Sequence, residues 1–130
     1  MEIENIKIFV ADDDEDILNV ISLMLQTKGY IVKASLNGNE LFQYNKHELP
    51  HLILLDIWMR NVNGLDVYEK IKASPLYKNI PVIFISANSN IEEMTKKYNA
   101  NGFIRKPFEM KDLLITIHDN LLMINDTYKA

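Results

Sequence analysis

Five polar side chains stand where apolar runs end in this chain of 130 residues. Asp12 and Asp13 follow one run, and Asp56, Ser86 and Lys106 each close another. An unpaired buried carboxylate is costly, and three carboxylates brought together repel one another. A hard divalent cation with oxygen ligands, Mg²⁺ before others, would relieve that repulsion, and a lysine and a serine beside it would hold a phosphoryl group. These residue types predict phosphoryl chemistry on Asp56, provided that the fold brings all five together.

The apolar runs alternate with segments of helical periodicity along the chain. The runs of strand length are "IKIFVA" at 6–11, "YIVKA" at 30–34, "LILLD" at 52–56, "PVIFIS" at 81–86 and "GFIRK" at 102–106. The helical segments are 17–25, 39–48, 65–74, 91–98 and 110–121. Ser89 with Glu92 predicts a capping box at the start of the fourth helix. The sequence therefore predicts five strands and five helices in alternation.

Such alternation predicts a parallel sheet with helices on both faces, in which the central strands are apolar at nearly every position. Right-handed crossovers favour a flavodoxin-like, doubly wound α/β fold with the strand order 2-1-3-4-5. In that order the carboxyl ends of the five strands lie on one edge of the sheet. The strand of Asp56 then lies between the strand of the acid pair and the strand of Ser86.

Each of these residues also has an ordinary structural interpretation. Asp56 could cap a strand end, Asp12 and Asp13 could begin a helix, Ser86 could serve a turn, and Lys106 could be a solvated lysine. Taken singly, these interpretations are at least as good as the functional ones. Placement of all five at four strand ends is much harder to obtain by accident, so the set as a whole favours a site.

Composition narrows the function further. The net charge is −4 and Lys and Arg form no cluster, which argues against direct nucleic-acid binding by this chain alone. Without cysteine there is no thiolate site, and the histidines at 47, 51 and 118 lack metal-ligand spacing. The first residues lack signal-peptide features, and no apolar run reaches membrane-spanning length. We expect a cytoplasmic protein, free of the membrane, that forms a single domain over residues 1–130.

Four segments resemble the signature blocks of receiver domains of two-component response regulators, with the chemotaxis regulators as the nearest type. They are "IFVADDDEDI", "LILLDIWMRNVNGLDV", "PVIFISA" and "GFIRKPF", in the family's order and with matching intervals. The resemblance implies that Asp56 takes a phosphoryl group from the phosphohistidine of a sensor histidine kinase or phosphotransfer protein. It implies a phosphoacceptor that assists its own phosphorylation and dephosphorylation, and no enzyme acting on a separate substrate.

The resemblance also implies roles for individual residues. The ligands of Mg²⁺ would be Asp12, largely through water, Asp13, Asp56 and the backbone carbonyl of Trp58. Ser86 would hydrogen-bond the phosphoryl oxygens and Lys106 would pair with them. Phe103 takes the place of an aromatic switch, so the signalling surface would comprise the fourth helix, the fifth strand and the fifth helix. We further expect the ring of Trp58, with Asn88 opposite, at the mouth of the site, where both could hinder hydrolytic water.

Three positions depart from the family's pattern. Arg60 stands where proline is usual and Asn63 stands where aspartate is frequent, which predicts a less rigid loop after Asp56. Phe103 replaces tyrosine and lacks its hydroxyl, although inward packing of the ring could still report phosphorylation. None of the implied site residues is missing from the sequence.

Three other functions compete with the receiver interpretation. A haloacid-dehalogenase-type phosphatase needs a second aspartate two positions after its nucleophile, where this chain has Trp58. A calcium-binding EF-hand loop in "DDDED" would have Ile17 where glycine is needed and Leu23 where glutamate is needed. An interaction module that is never phosphorylated remains the third alternative, and a phosphorylation assay distinguishes it.

The sequence ends soon after its last apolar stripe. This length fits a stand-alone receiver or a fragment of a longer regulator. The downstream partner would accordingly be a separate protein target or an output domain missing from the sequence. A phosphorylation-dependent dimer is a further expectation.

Overall fold

The computed structural model describes residues 5–129, and it describes the surroundings of the side chains of residues 5–122. The strands are β1 (Lys7–Ala11), β2 (Ile31–Ser35), β3 (Leu52–Asp56), β4 (Val82–Ser86) and β5 (Gly102–Arg105). The α-helices are α1 (Glu15–Thr27), α2 (Gly64–Ala73), α3 (Ile91–Tyr98) and α4 (Met110–Lys129). Residues 1–4 and 130 of the domain predicted from the sequence lie outside the described residues.

The five strands form one parallel sheet in the order β2-β1-β3-β4-β5, which confirms the predicted doubly wound fold. β3 lies in the centre, paired with β1 on one side and β4 on the other. Because all strands are parallel, their carboxyl ends lie on a single edge. The end of β3 at Asp56 is therefore flanked by the ends of β1 and β4, where Asp12 and Ser86 lie.

Helices cover both faces of the sheet and explain the apolar runs. Every residue of β3 and β4 is buried, because side chains of both orientations meet a helical layer. On one face α1 and α4 pack through residues such as Ile21 and Ile117, and on the other α2 packs through Val67 and Ile71. Within residues 5–129, no helix combines the length and the apolar character needed to cross a membrane.

The prediction of a second α-helix over 39–48 is wrong. The described chain there forms a five-residue 3-10 helix, Asn39–Gln43, and then a polar turn. Leu41 alone is buried on this helix, which is too little apolar surface to hold a longer one on the sheet. The backbone of Tyr44 is extended and ends the helix. The next residue, Asn45, accepts the backbone N–H of His47 at its Oδ1 over 2.8 Å, a local bond that competes with helical bonding.

The start of α3 also differs from the predicted capping box. The helix begins at Ile91 with Asn90 as its N-cap, and the Asn90 side chain makes no capping hydrogen bond. Instead, Asn88 Oδ1 accepts the backbone N–H of Asn90 at 3.1 Å and fixes a tight turn. Ser89 and Glu92 therefore do not form the reciprocal pair, because the chain enters the helix one residue later than expected.

Gly64 sets the distance between the end of β3 and the start of α2. A Cβ at this position would collide with the carbonyl oxygen of Asp56 and lie 2.5 Å from Ile57 Cα, so a larger residue would push these elements apart. Just before it, Asn63 is the N-cap of α2, with its Oδ1 accepting the N–H of Leu65 at 2.9 Å. Close packing here holds the loop that follows Asp56 against the carboxyl edge of the sheet.

Candidate functional site

Three carboxylates from two neighbouring strands meet at the carboxyl edge of the sheet. Asp12 and Asp13 follow β1, and Asp56 ends β3. One oxygen of each lies within 4.8 Å of the other two, a spacing that suits ligands of a single metal ion. Asp12 is fully buried, Asp56 is 3% exposed and Asp13 is partly buried. The fold thus concentrates three potential negative charges where little water can screen them.

Backbone N–H groups orient each of these carboxylates. Asp12 Oδ1 accepts the N–H of Asp14 at 2.9 Å, and Asp56 Oδ1 accepts the N–H of Trp58 at 2.9 Å. Asp14 is itself the N-cap of α1, so this acid begins a helix while its two predecessors turn into the site. The acid run "DDDED" is therefore divided between helix capping and the cluster, and it does not form a calcium loop.

Lys106 is the cation inside the cluster. Its Nζ lies 2.7 Å from Asp12 Oδ2 and 3.1 Å from Asp56 Oδ2, with only 15% of its side chain exposed. The contact with Asp12 is an ion pair by distance, because Oδ2 of Asp12 has no partner with hydrogen-bond geometry among the described residues. Lys106 is the first residue after β5, and its peptide bond to Pro107 is cis. A lysine that could have been solvated is instead shared by two buried acids.

The pKa values of Asp56 and Lys106 are both raised, which disfavours the charged form of the aspartate and favours the charged form of the lysine. Burial raises the pKa of Asp56 from 3.8 to about 6, and the charge of Asp12 adds to the rise, although the Trp58 N–H and Lys106 oppose it. Burial alone would lower the pKa of Lys106, but Asp12 and Asp56 outweigh it and hold that pKa above its usual value. The lysine is therefore a permanent cation, whereas the Asp56 carboxylate is ionised at a cost in free energy.

Ser86 lies on the other side of Asp56, at the end of β4. A cleft of about 490 Å³ opens over these residues and is lined by Asp56, Trp58, Ser86, Ala87, Asn88 and Lys106. The buried Ser86 accepts the N–H of Asn88 at Oγ over 3.0 Å, and its carbonyl accepts the N–H of Lys106 over 2.9 Å. The order of the sheet thus places a hydroxyl, an ammonium and a carboxylate around one open volume, large enough for a phosphoryl group.

Trp58 and Phe103 occupy different positions relative to that cleft. Trp58 lines the cleft and is 51% exposed. Phe103 does not line it. Its ring packs against the core on the α2 and α3 face and pairs in register with Phe84 of β4. The pairing of β4 with β5 therefore joins Phe103 to the strand that ends at Ser86.

Arg60 makes a contact that the sequence interpretation missed. Its backbone N–H donates to Asp13 Oδ2 at 2.8 Å, and its Nε lies 3.6 Å from the same oxygen. The sequence marked this arginine only as a departure expected to loosen the loop. The available signal was its charge, four positions after Asp56 and close to an acid cluster.

The donor set fits a hard divalent cation. The three converging oxygens all belong to carboxylates, and among the described residues the buried Asp12 Oδ2 has Lys106 as its cationic neighbour. Mg²⁺ prefers such oxygen ligands and commonly uses one or two carboxylates beside phosphate oxygens. The cluster could therefore hold a metal ion next to a phosphoryl group in the cleft.

Comparisons with known proteins agree with this arrangement. A family model described as the response regulator receiver domain matches residues 8–118. The nisin biosynthesis regulatory protein NisR of Lactococcus lactis subsp. lactis is 30% identical over 117 residues, which is 88% of this chain and 50% of that protein. The chain spans about half the length of the curated relatives it matches.

Solved structures show the same fold. NtrX from Brucella abortus superimposes with a TM-score of 0.84 at 26% identity, covering 95% of this chain and 28% of that one. A CheY-like receiver domain protein from Methanospirillum hungatei gives a TM-score of 0.83 at 24% identity, covering 95% of this chain and 99% of that one. The second likeness, given its low identity, bears on the fold alone.

Proposed function

The chain belongs to the receiver domain family of two-component response regulators, whose general function is to accept a phosphoryl group, and we propose that Asp56 is the acceptor here. One observation supports this assignment above others: the buried Asp56 carboxylate has acids on one side and the Lys106 ammonium 3.1 Å away. We further propose that the chain forms a single receiver domain.

Transfer would proceed by attack of an Asp56 carboxylate oxygen on the phosphorus of the donor. The new O–P bond forms as the P–N bond of a phosphohistidine breaks, and its electron pair returns to the imidazole nitrogen. Mg²⁺ held by Asp12, Asp13, Asp56 and the Trp58 carbonyl would neutralise charge on the acids and on the phosphoryl oxygens.

The protein's own groups would stabilise the charge that develops on the phosphoryl oxygens. Lys106 already lies beside Asp56, so its ammonium needs little reorganisation to pair with an oxygen in the cleft. The Ser86 hydroxyl lines the same cleft and is free to donate a hydrogen bond while it accepts one from Asn88. These groups assist phosphorylation and dephosphorylation of the chain's own Asp56. We therefore propose that the protein is a phosphoacceptor and not an enzyme that acts on a separate substrate.

Output would follow from the coupling of β4 to β5. When Ser86 approaches a phosphoryl oxygen, the loop after β4 would move with it, and the Phe103 ring would gain space to turn inward. The Lys106 N–H to Ser86 carbonyl bond supports this coupling, because it joins the two strand ends at 2.9 Å. We propose α3, β5 and α4 as the signalling surface; α3 and α4 are the helices that the sequence predicted as the fourth and fifth. Phosphorylation would act by shifting the population between two conformations of this surface.

The partners follow from the family and remain proposals for this chain. Receiver domains interact with histidine kinases or phosphotransfer proteins, and we propose one of these as the phosphoryl donor. The target of the signalling surface would be a separate protein or an output domain of a longer regulator. A phosphorylation-dependent dimer through the same surface is a third arrangement that the proposal allows.

A phosphoryl mimic tests the proposed site without a cognate kinase. We expect beryllium fluoride and Mg²⁺ together to raise the melting temperature by on the order of 10 °C at concentrations 100-fold above the dissociation constant, because both bind only the folded site. Differential scanning fluorimetry should show a much smaller rise with either compound alone. Asp56→Asn should lose the part that depends on beryllium fluoride, and an equal rise in that variant would contradict the assignment.

Trp58 and Asn88 are proposed to limit access of hydrolytic water to phosphorylated Asp56. Both line the cleft, and Asn88 is held there because its Oδ1 accepts a hydrogen bond from the backbone N–H of Asn90. We expect Trp58→Ala to shorten the phosphorylated lifetime by up to about tenfold, which corresponds to a barrier lowered by about 1.4 kcal/mol. The decay of phosphoprotein after donor removal measures this lifetime. Leu76→Ala, another truncation of an exposed side chain, is the control, and equal decay rates in all three proteins would exclude the gating role.

A further inference from the structure

Arg60 holds the one acid of the cluster that Lys106 does not touch. The backbone N–H of Arg60 lies 2.8 Å from Asp13 Oδ2, and the guanidinium Nε lies 3.6 Å from it. Lys106 occupies Asp12 and Asp56 instead, at 2.7 and 3.1 Å. Each acid of the cluster therefore has a cationic side chain within 4 Å.

The two contacts of Arg60 act differently on a bound metal. The N–H carries no net charge and orients the Asp13 carboxylate whichever residue stands at position 60, proline excepted. The guanidinium brings a full positive charge beside an acid that a divalent cation would use, and like charges near one site repel. A divalent cation that binds Asp13 must therefore either displace the Arg60 guanidinium or bind against its electrostatic repulsion.

We propose that Arg60 is an internal competitor of the divalent cation and lowers the affinity of the acid cluster for Mg²⁺. The inference rests on the proposed Mg²⁺ site and adds to it a residue that sets how tightly the site is filled. The guanidinium is attached at the loop that follows Asp56, and the backbone N–H of Arg60 would keep that loop bonded to Asp13 if the ion pair were lost.

The size of the effect is limited by exposure of the arginine. Its side chain is 83% exposed, whereas the Asp13 side chain is 22% exposed, so solvent screens the pair. Exposed ion pairs of this kind correspond to changes of up to about fivefold in an equilibrium constant. Because the interaction is coulombic, the difference should shrink as added salt shortens the screening length.

Titration of the purified chain with Mg²⁺ tests the proposal with three variants. Arg60→Gln removes the charge and keeps the backbone N–H, Arg60→Lys keeps a charge, and Lys28→Ala removes a charge from the far end of α1. Isothermal calorimetry gives the dissociation constant directly, at low and at high salt. We expect Arg60→Gln to bind Mg²⁺ up to about fivefold more tightly at low salt, with Arg60→Lys nearer to wild type and Lys28→Ala unchanged.

The outcomes separate this inference from the site on which it rests. If the wild type binds Mg²⁺ and Arg60→Gln binds it no more tightly, the competition is refuted while the metal site stands. Equal tightening in Arg60→Gln and Arg60→Lys would also refute it, because the charge would then not be the cause. If neither the wild type nor Arg60→Gln binds Mg²⁺, the proposed metal site itself fails.

Discussion

Asp56→Asn is expected to gain no phosphoryl group under conditions in which the wild-type chain gains one. The reaction needs a carboxylate oxygen as nucleophile. The amide of asparagine has no negative charge and does not form an acyl phosphate. The substitution preserves the size of the side chain beside Lys106 and the Trp58 N–H, so the surrounding site should stay in place. Loss of modification should be complete, because no smaller rate remains when the acceptor atom is absent.

Intact-mass measurement after incubation with Mg²⁺ and a small acyl phosphate decides this point. Asp119→Asn makes the same chemical change at an exposed position on α4 and should be modified like the wild type. A phosphoryl group found on Asp56→Asn would move the acceptor to another residue, with Asp12 and Asp13 the first to examine. Failure of the wild type with every donor and kinase would favour an interaction module that is never phosphorylated.

The same variant should also be more stable than the wild type in metal-free buffer at neutral pH. Burial raises the pKa of Asp56 from 3.8 to about 6, so between these values the folded protein binds more protons than the unfolded chain. Stability is therefore lost as the pH rises through this window, and it is regained as the pH falls. The shift corresponds to about 3 kcal/mol at pH values above it, a cost that the neutral asparagine does not incur.

Chemical denaturation in the presence of a chelator measures the difference. The free energy of unfolding of Asp56→Asn should exceed that of the wild type by about 3 kcal/mol at neutral pH, and the gap should close as the pH falls through about 6 towards 3.8. Asp119→Asn corrects for the general effect of removing one negative charge. A gap that is absent at neutral pH, or that does not change with pH, would show that the fold tolerates the Asp56 charge without strain.

Much of the fold was predictable from the sequence because parallel strands covered on both faces must be apolar. The runs that became β3 and β4 stand out for that reason, and a polar residue at the end of such a run marks the edge of the sheet. Alternation with helical stripes then limits the strand order to a few choices, of which the commonest is the one observed. The sequence alone therefore placed Asp12, Asp56, Ser86 and Lys106 at one edge.

The features decided by tertiary structure depend on distances between remote parts of the chain. Local pattern suggested a helix over 39–48, but only the packing against the sheet shows that Leu41 alone is buried there. Lys106 can contact both Asp12 and Asp56 only because the register of the sheet brings the carboxyl ends of β1, β3 and β5 to the same level along the strand direction. The contact of Arg60 with Asp13 spans 47 positions and depends on how the loop after β3 folds back. Periodicity and spacing describe neighbours along the chain, whereas these contacts arise from the register and packing of elements that are distant in sequence.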